Sequence, residues 1–101
     1  MAFKQVGKVS EIEIGTAVIY NVDDREIAVF NVDGQLYALD DYCSHEEGSL
    51  SEGYLEGCEV ECPLHGARFN VKTGEVTEEP AVLPVDSFPV RIVDNNIEID
   101  V

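Results

Sequence analysis

Cys43-Ser-His45 and Cys62-Pro-Leu-His65, separated by sixteen residues, constrain this chain more tightly than any other feature of it. Each pair can bring one thiolate and one imidazole to a common centre. Together the pairs can hold a metal site with two sulfur and two nitrogen donors. The order Cys-His then Cys-His is the unusual part. A structural zinc site also accepts two Cys and two His, but zinc fingers usually run Cys, Cys and then His, His with different gaps. A Cys–His catalytic pair is a further reading of the same residues, although no third residue stands in an obvious orienting role.

The spacing C-x-H, a mid-length gap, then C-x-x-H closely resembles the Rieske ligand pattern. In that pattern two His replace two Cys on one iron of a two-iron, two-sulfide cluster. The resemblance implies that one Cys and one His come from each of two facing loops. Cys43 and Cys62 would then bind the inner iron, and His45 and His65 the outer iron nearest solvent. Anionic thiolates favour the ferric state, whereas neutral imidazoles donate less charge and raise the potential. The fold implied is the all-β Rieske iron–sulfur fold, an antiparallel β-sandwich-like base carrying an inserted cluster-binding lobe. The likeness covers essentially the whole chain and extends to Gly66, Gly74 and the Pro80-to-Pro84 stretch.

The chain departs from the high-potential members of the family. Their loop-linking disulfide would need Cys where Gly48 and Leu64 stand, and their Ser and Tyr hydroxyls to the cluster sulfurs would fall at Ala67 and Phe69. Hydrogen bonds to sulfur stabilise the reduced state, so their absence lowers the potential. A value toward the lower part of the Rieske range of about −150 to +300 mV is expected.

The hydrophobic pattern is β throughout. Gly15–Tyr20 and Glu26–Asn31 are rich in β-branched and aromatic residues, and Asp33-Gly34 before Leu36–Leu39 signals a hairpin. Pro89–Val93 and Ile97–Val101 flank Asp94-Asn95-Asn96 as a second hairpin, with apolar residues alternating against charged ones. Helical periodicity is scarce, and only Val9–Ile12 suggests a short turn. Residues 41–57 read as a long functional loop. Beyond it Cys58, Val60 and Cys62 alternate with acids, as Ala67, Phe69 and Val71 alternate with polar residues. Cys58 reads as an inert packing residue on the inner face of its strand. One domain over residues 1–101 is expected, with a base from 1–40 and 77–101 and a cluster-binding lobe at 41–76.

A chain of 101 residues, 45% hydrophobic, can bury a core without staples. It contains no run of eighteen apolar residues and no apolar leader segment after Met1, which predicts neither membrane insertion nor secretion. Three Cys, two of them metal ligands, leave no disulfide framework and suit a reducing cytoplasm. A net charge of −15 makes nucleic acid and anionic membranes poor partners. Eight acidic residues and no Lys or Arg lie between Asp40 and Glu61, either as a solvated surface or as an acidic face that steers basic partners.

An oxygen-activating Rieske enzyme adds a mononuclear iron held by two His and a carboxylate. This chain has only His45 and His65, both in the cluster quartet, and carries no G-x-G-x-x-G nucleotide fingerprint. It is therefore expected to carry one electron and to have no catalytic residues. This resembles the Rieske-type ferredoxins of bacterial ring-hydroxylating dioxygenase systems in aromatic hydrocarbon catabolism. The likeness implies a flavin-dependent NADH:ferredoxin reductase as donor, a terminal Rieske oxygenase as acceptor, and a cytoplasmic monomer docking through the His45–His65 edge with Pro63 and Leu64. A Rieske-like small subunit of a nitrite reductase and a structural zinc-binding module remain as alternatives.

Overall fold

The computed structural model describes residues 3–41, 53–61, 68–78 and 85–100. The strands are β1 (Phe3–Lys8), β2 (Ala17–Val22), β3 (Arg25–Val32), β4 (Gln35–Asp40), β5 (Tyr54–Glu56), β6 (Glu59–Glu61), β7 (Arg68–Asn70), β8 (Val76–Glu78), β9 (Ser87–Phe88), β10 (Val90–Val93) and β11 (Asn96–Asp100). A single 3₁₀ turn, Val9–Glu11, follows β1, where the sequence suggests a short turn. Three antiparallel sheets result, in the orders β1-β11-β10, β2-β3-β4-β9 and β5-β6-β7-β8.

The second sheet is the middle layer. Ile27, Ala28, Val29 and Phe30 of β3 are essentially fully buried, because each face of that strand meets a different core. Ile27 and Val29 join Val22, Ala38, Ile97 and Ile99 against the first sheet. Ala28 and Phe30 join Leu39, Val60, Phe69, Val71 and Val85 against the third sheet. Alternation along one strand thus holds all three layers together, and the first two sheets form the sandwich-like base.

Three hairpins turn through two-residue connections with both central residues in the left-handed region. Asp23 and Asp24 lie at φ 53° and 65°, Asp33 and Gly34 at 51° and 92°, and Asp94 and Asn95 at 50° and 67°. Such turns match the right-handed twist of the strands, and Asp, Asn and Gly tolerate them best. The Asn31 side chain reinforces the second hairpin, donating to the Ile12 carbonyl at 2.9 Å and accepting from the Gly34 amide at 2.9 Å.

Three expectations change. The segment 41–57 is not loop throughout, since Tyr54–Glu56 forms β5. Three residues between Gly53 and Gly57 are too few to register as periodicity, and their strand character comes from pairing with β6. Ile92 shares the alternation of Val90 yet stays 50% exposed, because β10 is the edge of its sheet. Cys58 is half-buried and packs against the core shared by the second and third sheets, as expected, but from a turn rather than from a strand.

One local network makes the base sensitive to alkali. Tyr20 donates from its hydroxyl to Glu11 Oε1 at 3.1 Å, and the Lys8 amide donates to the same oxygen at 2.8 Å. Burial, and then the bond and charge of Glu11, push the Tyr20 phenol up to about 12. A raised pKa means that Tyr20 contributes fully below about pH 10 and that the contribution is lost as pH rises through about 12. Tyr20→Phe should therefore cost ~1 kcal/mol at pH 8 in urea unfolding, with the gap to wild type closing between pH 10 and 12. A gap independent of pH over that range would show that the hydrogen bond to Glu11 is not its source.

Candidate metal centre

Cys43, His45, Cys62 and His65 all lie outside the described residues, as do Gly66, Ala67 and the Pro80-to-Pro84 stretch. Their anchors are described. Tyr54 pairs with Glu61, Glu61 with Arg68, and Arg68 with Glu78, so one end of each of β5, β6, β7 and β8 lies in a single row. Segment 42–52 enters β5 at that row, and segment 62–67 leaves β6 and returns as β7 there. Segment 79–84 leaves β8 at the same end. Four adjacent strands span only about 14 Å, at ~4.8 Å between neighbours. The described residues that follow segment 42–52, flank segment 62–67 and precede segment 79–84 therefore lie along one edge of one small sheet.

Close backbone approach fixes this edge. A Cβ on Gly53 would collide with the Glu61 carbonyl, so the chain can enter β5 this tightly only through glycine. At the opposite end of the sheet, in the turn between β7 and β8, Gly74 at φ 79° sits against the Val85 carbonyl and accepts a hydrogen bond from the Val85 amide at 2.9 Å. A register shift between Arg68 and Phe69 opposite β8 adds a bulge beside segment 62–67, a feature that re-aims side chains next to functional sites.

The two faces of the third sheet differ in chemistry. Leu55, Val60 and Phe69 point inward, with Phe69 fully buried. The outer face carries Glu56, Glu59, Glu61 and Arg68. Arg68 is the sole Lys or Arg between Asp40 and Val71. It lies 3.2 Å from Glu61, 3.4 Å from Glu59 and 3.6 Å from Glu56. Its guanidinium is held above the usual range by its hydrogen bonds to Glu59 and then Glu61. The acidic run is thus less uniform than its sequence: Arg68 offsets part of it, Asp40 is bound to Arg25, and Asp41 is only 6% exposed.

Among the described residues no three His, Cys, Asp or Glu side chains converge on a metal position. Segments 42–52 and 62–67 carry two Cys and two His in sequence, a donor set of the kind that suits iron–sulfur ligation with mixed ligands. Sequence reasoning missed Arg25, which joins Asp40 and Asp86 on either side of the third sheet's excursion. The available signal was weak: an Arg after an Asp-Asp turn in a chain with six cations.

Comparison with known proteins agrees with this layout. The model of the family described as Rieske [2Fe-2S] domain matches residues 2–89. The biphenyl dioxygenase ferredoxin subunit of Pseudomonas sp. (strain KKS102) is 42% identical over 101 residues, covering 99% of this chain and 93% of that protein. The ferredoxin of carbazole 1,9a-dioxygenase from Nocardioides aromaticivorans IC177 superposes with a TM-score of 0.93 at 33% identity, over 98% of this chain and 97% of its own. A chain in the structure described as the complex of reduced oxygenase and oxidized ferredoxin in carbazole 1,9a-dioxygenase gives a TM-score of 0.90 at 37% identity, over 96% and 91% of the two chains. A structure named for an NADH-dependent nitrite reductase small subunit from Mycobacterium tuberculosis reaches 0.87 at 19% identity, over 97% and 93%, a likeness of fold alone.

Proposed function

The chain belongs to the Rieske [2Fe-2S] domain family, and from that membership we propose that it is a Rieske-type ferredoxin, a one-electron carrier and not a catalyst, serving a ring-hydroxylating dioxygenase system. Bound by the chain, the two-iron, two-sulfide cluster supplies a centre that accepts and returns one electron. We assign Cys43 and Cys62 to one iron and His45 and His65 to the other. What supports this assignment is the pairing of Tyr54 with Glu61 and of Glu61 with Arg68, which sets the described end after segment 42–52 beside both described ends of segment 62–67. We retain the division into a base of 1–40 and 77–101 and a cluster-binding lobe of 41–76, with β8 at the boundary.

The chain's own residues supply donors and setting. Cys43 and Cys62 would supply the anionic thiolate donors, and His45 and His65 the neutral imidazole donors. Phe69, without a hydroxyl, offers nothing polar to the centre from the core, and Glu56, Glu59 and Glu61 disfavour further negative charge nearby. Both effects act to lower the potential.

The partners follow the same reading. A terminal oxygenase receives the electron, supported by the oxygenase–ferredoxin complex among the related structures, and a flavin-dependent NADH:ferredoxin reductase supplies it. Weak, salt-sensitive encounters through an acidic surface suit a carrier that must dissociate after each transfer. No helix among the described residues is long and apolar enough to cross a membrane, which is compatible with a soluble, cytoplasmic monomer.

The test is a reductive titration of the purified protein with iron and acid-labile sulfide assays. One electron per chain, two irons, two sulfides and a low-temperature EPR signal in the reduced form are expected. Zinc without sulfide would replace this reading with a structural metal module.

A further inference from the structure

The polypeptide leaves the second sheet after Asp40 and rejoins it at Ser87, and the whole third sheet lies between these points in the chain. These two stems run side by side: the Asp40 amide donates to the Asp86 carbonyl at 3.0 Å, and Leu39 and Ala38 pair with Ser87 and Phe88. Such a neck is short, since β9 has only two residues. It also places two carboxylates together in a chain of net charge −15.

Arg25 stands between them. Its Nε donates to Asp40 Oδ1 at 2.7 Å and its Nη2 to Asp40 Oδ2 at 2.8 Å, a two-point fork. The same Nη2 donates to Asp86 Oδ2 at 2.7 Å, and the guanidinium lies 4.8 Å from the centre of the Phe88 ring. Three of its contacts thus fall on the two stems, and the Asp41 amide is tied to the carbonyl of the adjacent Glu26 at 3.0 Å.

We propose that Arg25 is a positioning residue that clamps the neck of the cluster lobe, holding Asp40 and Asp86 together against their mutual repulsion. Its described side-chain contacts are with Asp40, Asp86 and Phe88. It acts by fixing the stem from which segment 42–52 departs, and so the placement of Cys43 and His45 relative to Cys62 and His65. The inference rests on the ligand assignment above. Lys in this place would offer charge without the planar fork. The fork is what lets one cation serve two carboxylates and an aromatic face.

Loss of the clamp should do two things: remove three hydrogen bonds and leave two like charges unopposed. The second effect separates this role from ordinary packing, because deleting one carboxylate should then repair part of the damage. The experiment measures decay of the visible cluster absorbance in excess chelator, with hydrogen exchange of the Asp40 amide, for wild type, Arg25→Gln, Asp86→Asn and the double variant. Arg25→Gln should lose its cluster about tenfold faster, a modest factor because Arg25 and Asp86 side chains are 43% and 71% exposed and partly screened. The double variant should recover at least a third of that factor, and Asp40 exchange should rise and fall in step. Decay of Arg25→Gln at the wild-type rate would overturn the proposal, and so would a double variant decaying as fast as the single. If Arg25→Gln yields no folded protein, a folded, coloured double variant supports the clamp and an unfolded one removes it. Wild-type protein lacking iron and sulfide would instead sink the cluster assignment, an outcome visible before any variant is compared.

Discussion

Cys62→Ala is expected to purify with near-zero iron and acid-labile sulfide, while Cys58→Ala retains the full complement. Both changes remove one thiol from the same stretch of chain, so the contrast isolates ligation from the general effect of losing a sulfur. Cys58 is half-buried against the core shared by the second and third sheets, where a small apolar side chain substitutes at a cost below about 1 kcal/mol. Cys62 is proposed as one of the four donors, and a three-ligand remnant would not complete the coordination of both irons. Cys43→Ala should match Cys62→Ala. Among the described residues the two cores are built from apolar side chains such as Val60, Phe69 and Ile99. The cluster-free variants should therefore keep far-UV circular dichroism typical of β-structure, but unfold at lower urea because a group binding only the native state is gone. Stoichiometric cluster in Cys62→Ala would remove it from the ligand set.

Phe69→Ala should destabilise the protein by about 3–5 kcal/mol, a large share of the ~5–15 kcal/mol typical of a domain. Phe69 is fully buried where the third sheet meets β3 and β4, so its loss opens a cavity between the lobe and the base. Ile99, equally buried in the other core, provides the comparison. Ile99→Ala should cost about 2–5 kcal/mol without moving the reduction potential. Phe69→Tyr is the informative counterpart. A buried hydroxyl without a partner costs about 1–3 kcal/mol. A hydroxyl that donates to a cluster sulfur stabilises the reduced state and raises the potential with less loss of stability. Urea unfolding and protein-film voltammetry on the same samples separate these results. An unchanged or lower potential in Phe69→Tyr would show that Phe69 does not set the potential by lacking a hydroxyl.

Legibility followed the range of the interaction. The hairpins at Asp33-Gly34 and Asp94-Asn95 were readable because the left-handed turn residues and the alternating strands sit within a few positions of one another. β1 escaped because Phe3–Lys8 contains Gly7 and little alternation, and its partner is β11 at the far end of the chain. Gly7 has its own reason: a Cβ there would collide with the Glu11 carboxylate and the Tyr20 ring, packing that no local pattern announces. β5, β8 and β9 have two or three residues each, too short for periodicity, and exist only through their neighbours.

Charge followed the same rule. Counting acids between Asp40 and Glu61 suggested a uniform negative surface, whereas the fold buries Asp41, gives Asp40 to Arg25 and gathers Glu56, Glu59 and Glu61 around Arg68. Arg25 and Asp86 are sixty-one positions apart, and nothing in either neighbourhood marks them as partners.

The sequence by itself determined the chemistry of this protein. Softness, charge and proton affinity belong to the thiolate and the imidazole as groups, and their order and spacing along the backbone select the metal centre they suit. Only the tertiary structure decided where the ligand-bearing segments start and end, which acids meet water and which cation secures the lobe's neck. Those properties depend on distances through space, and the strand pairing of a folded chain sets such distances independently of separation along it.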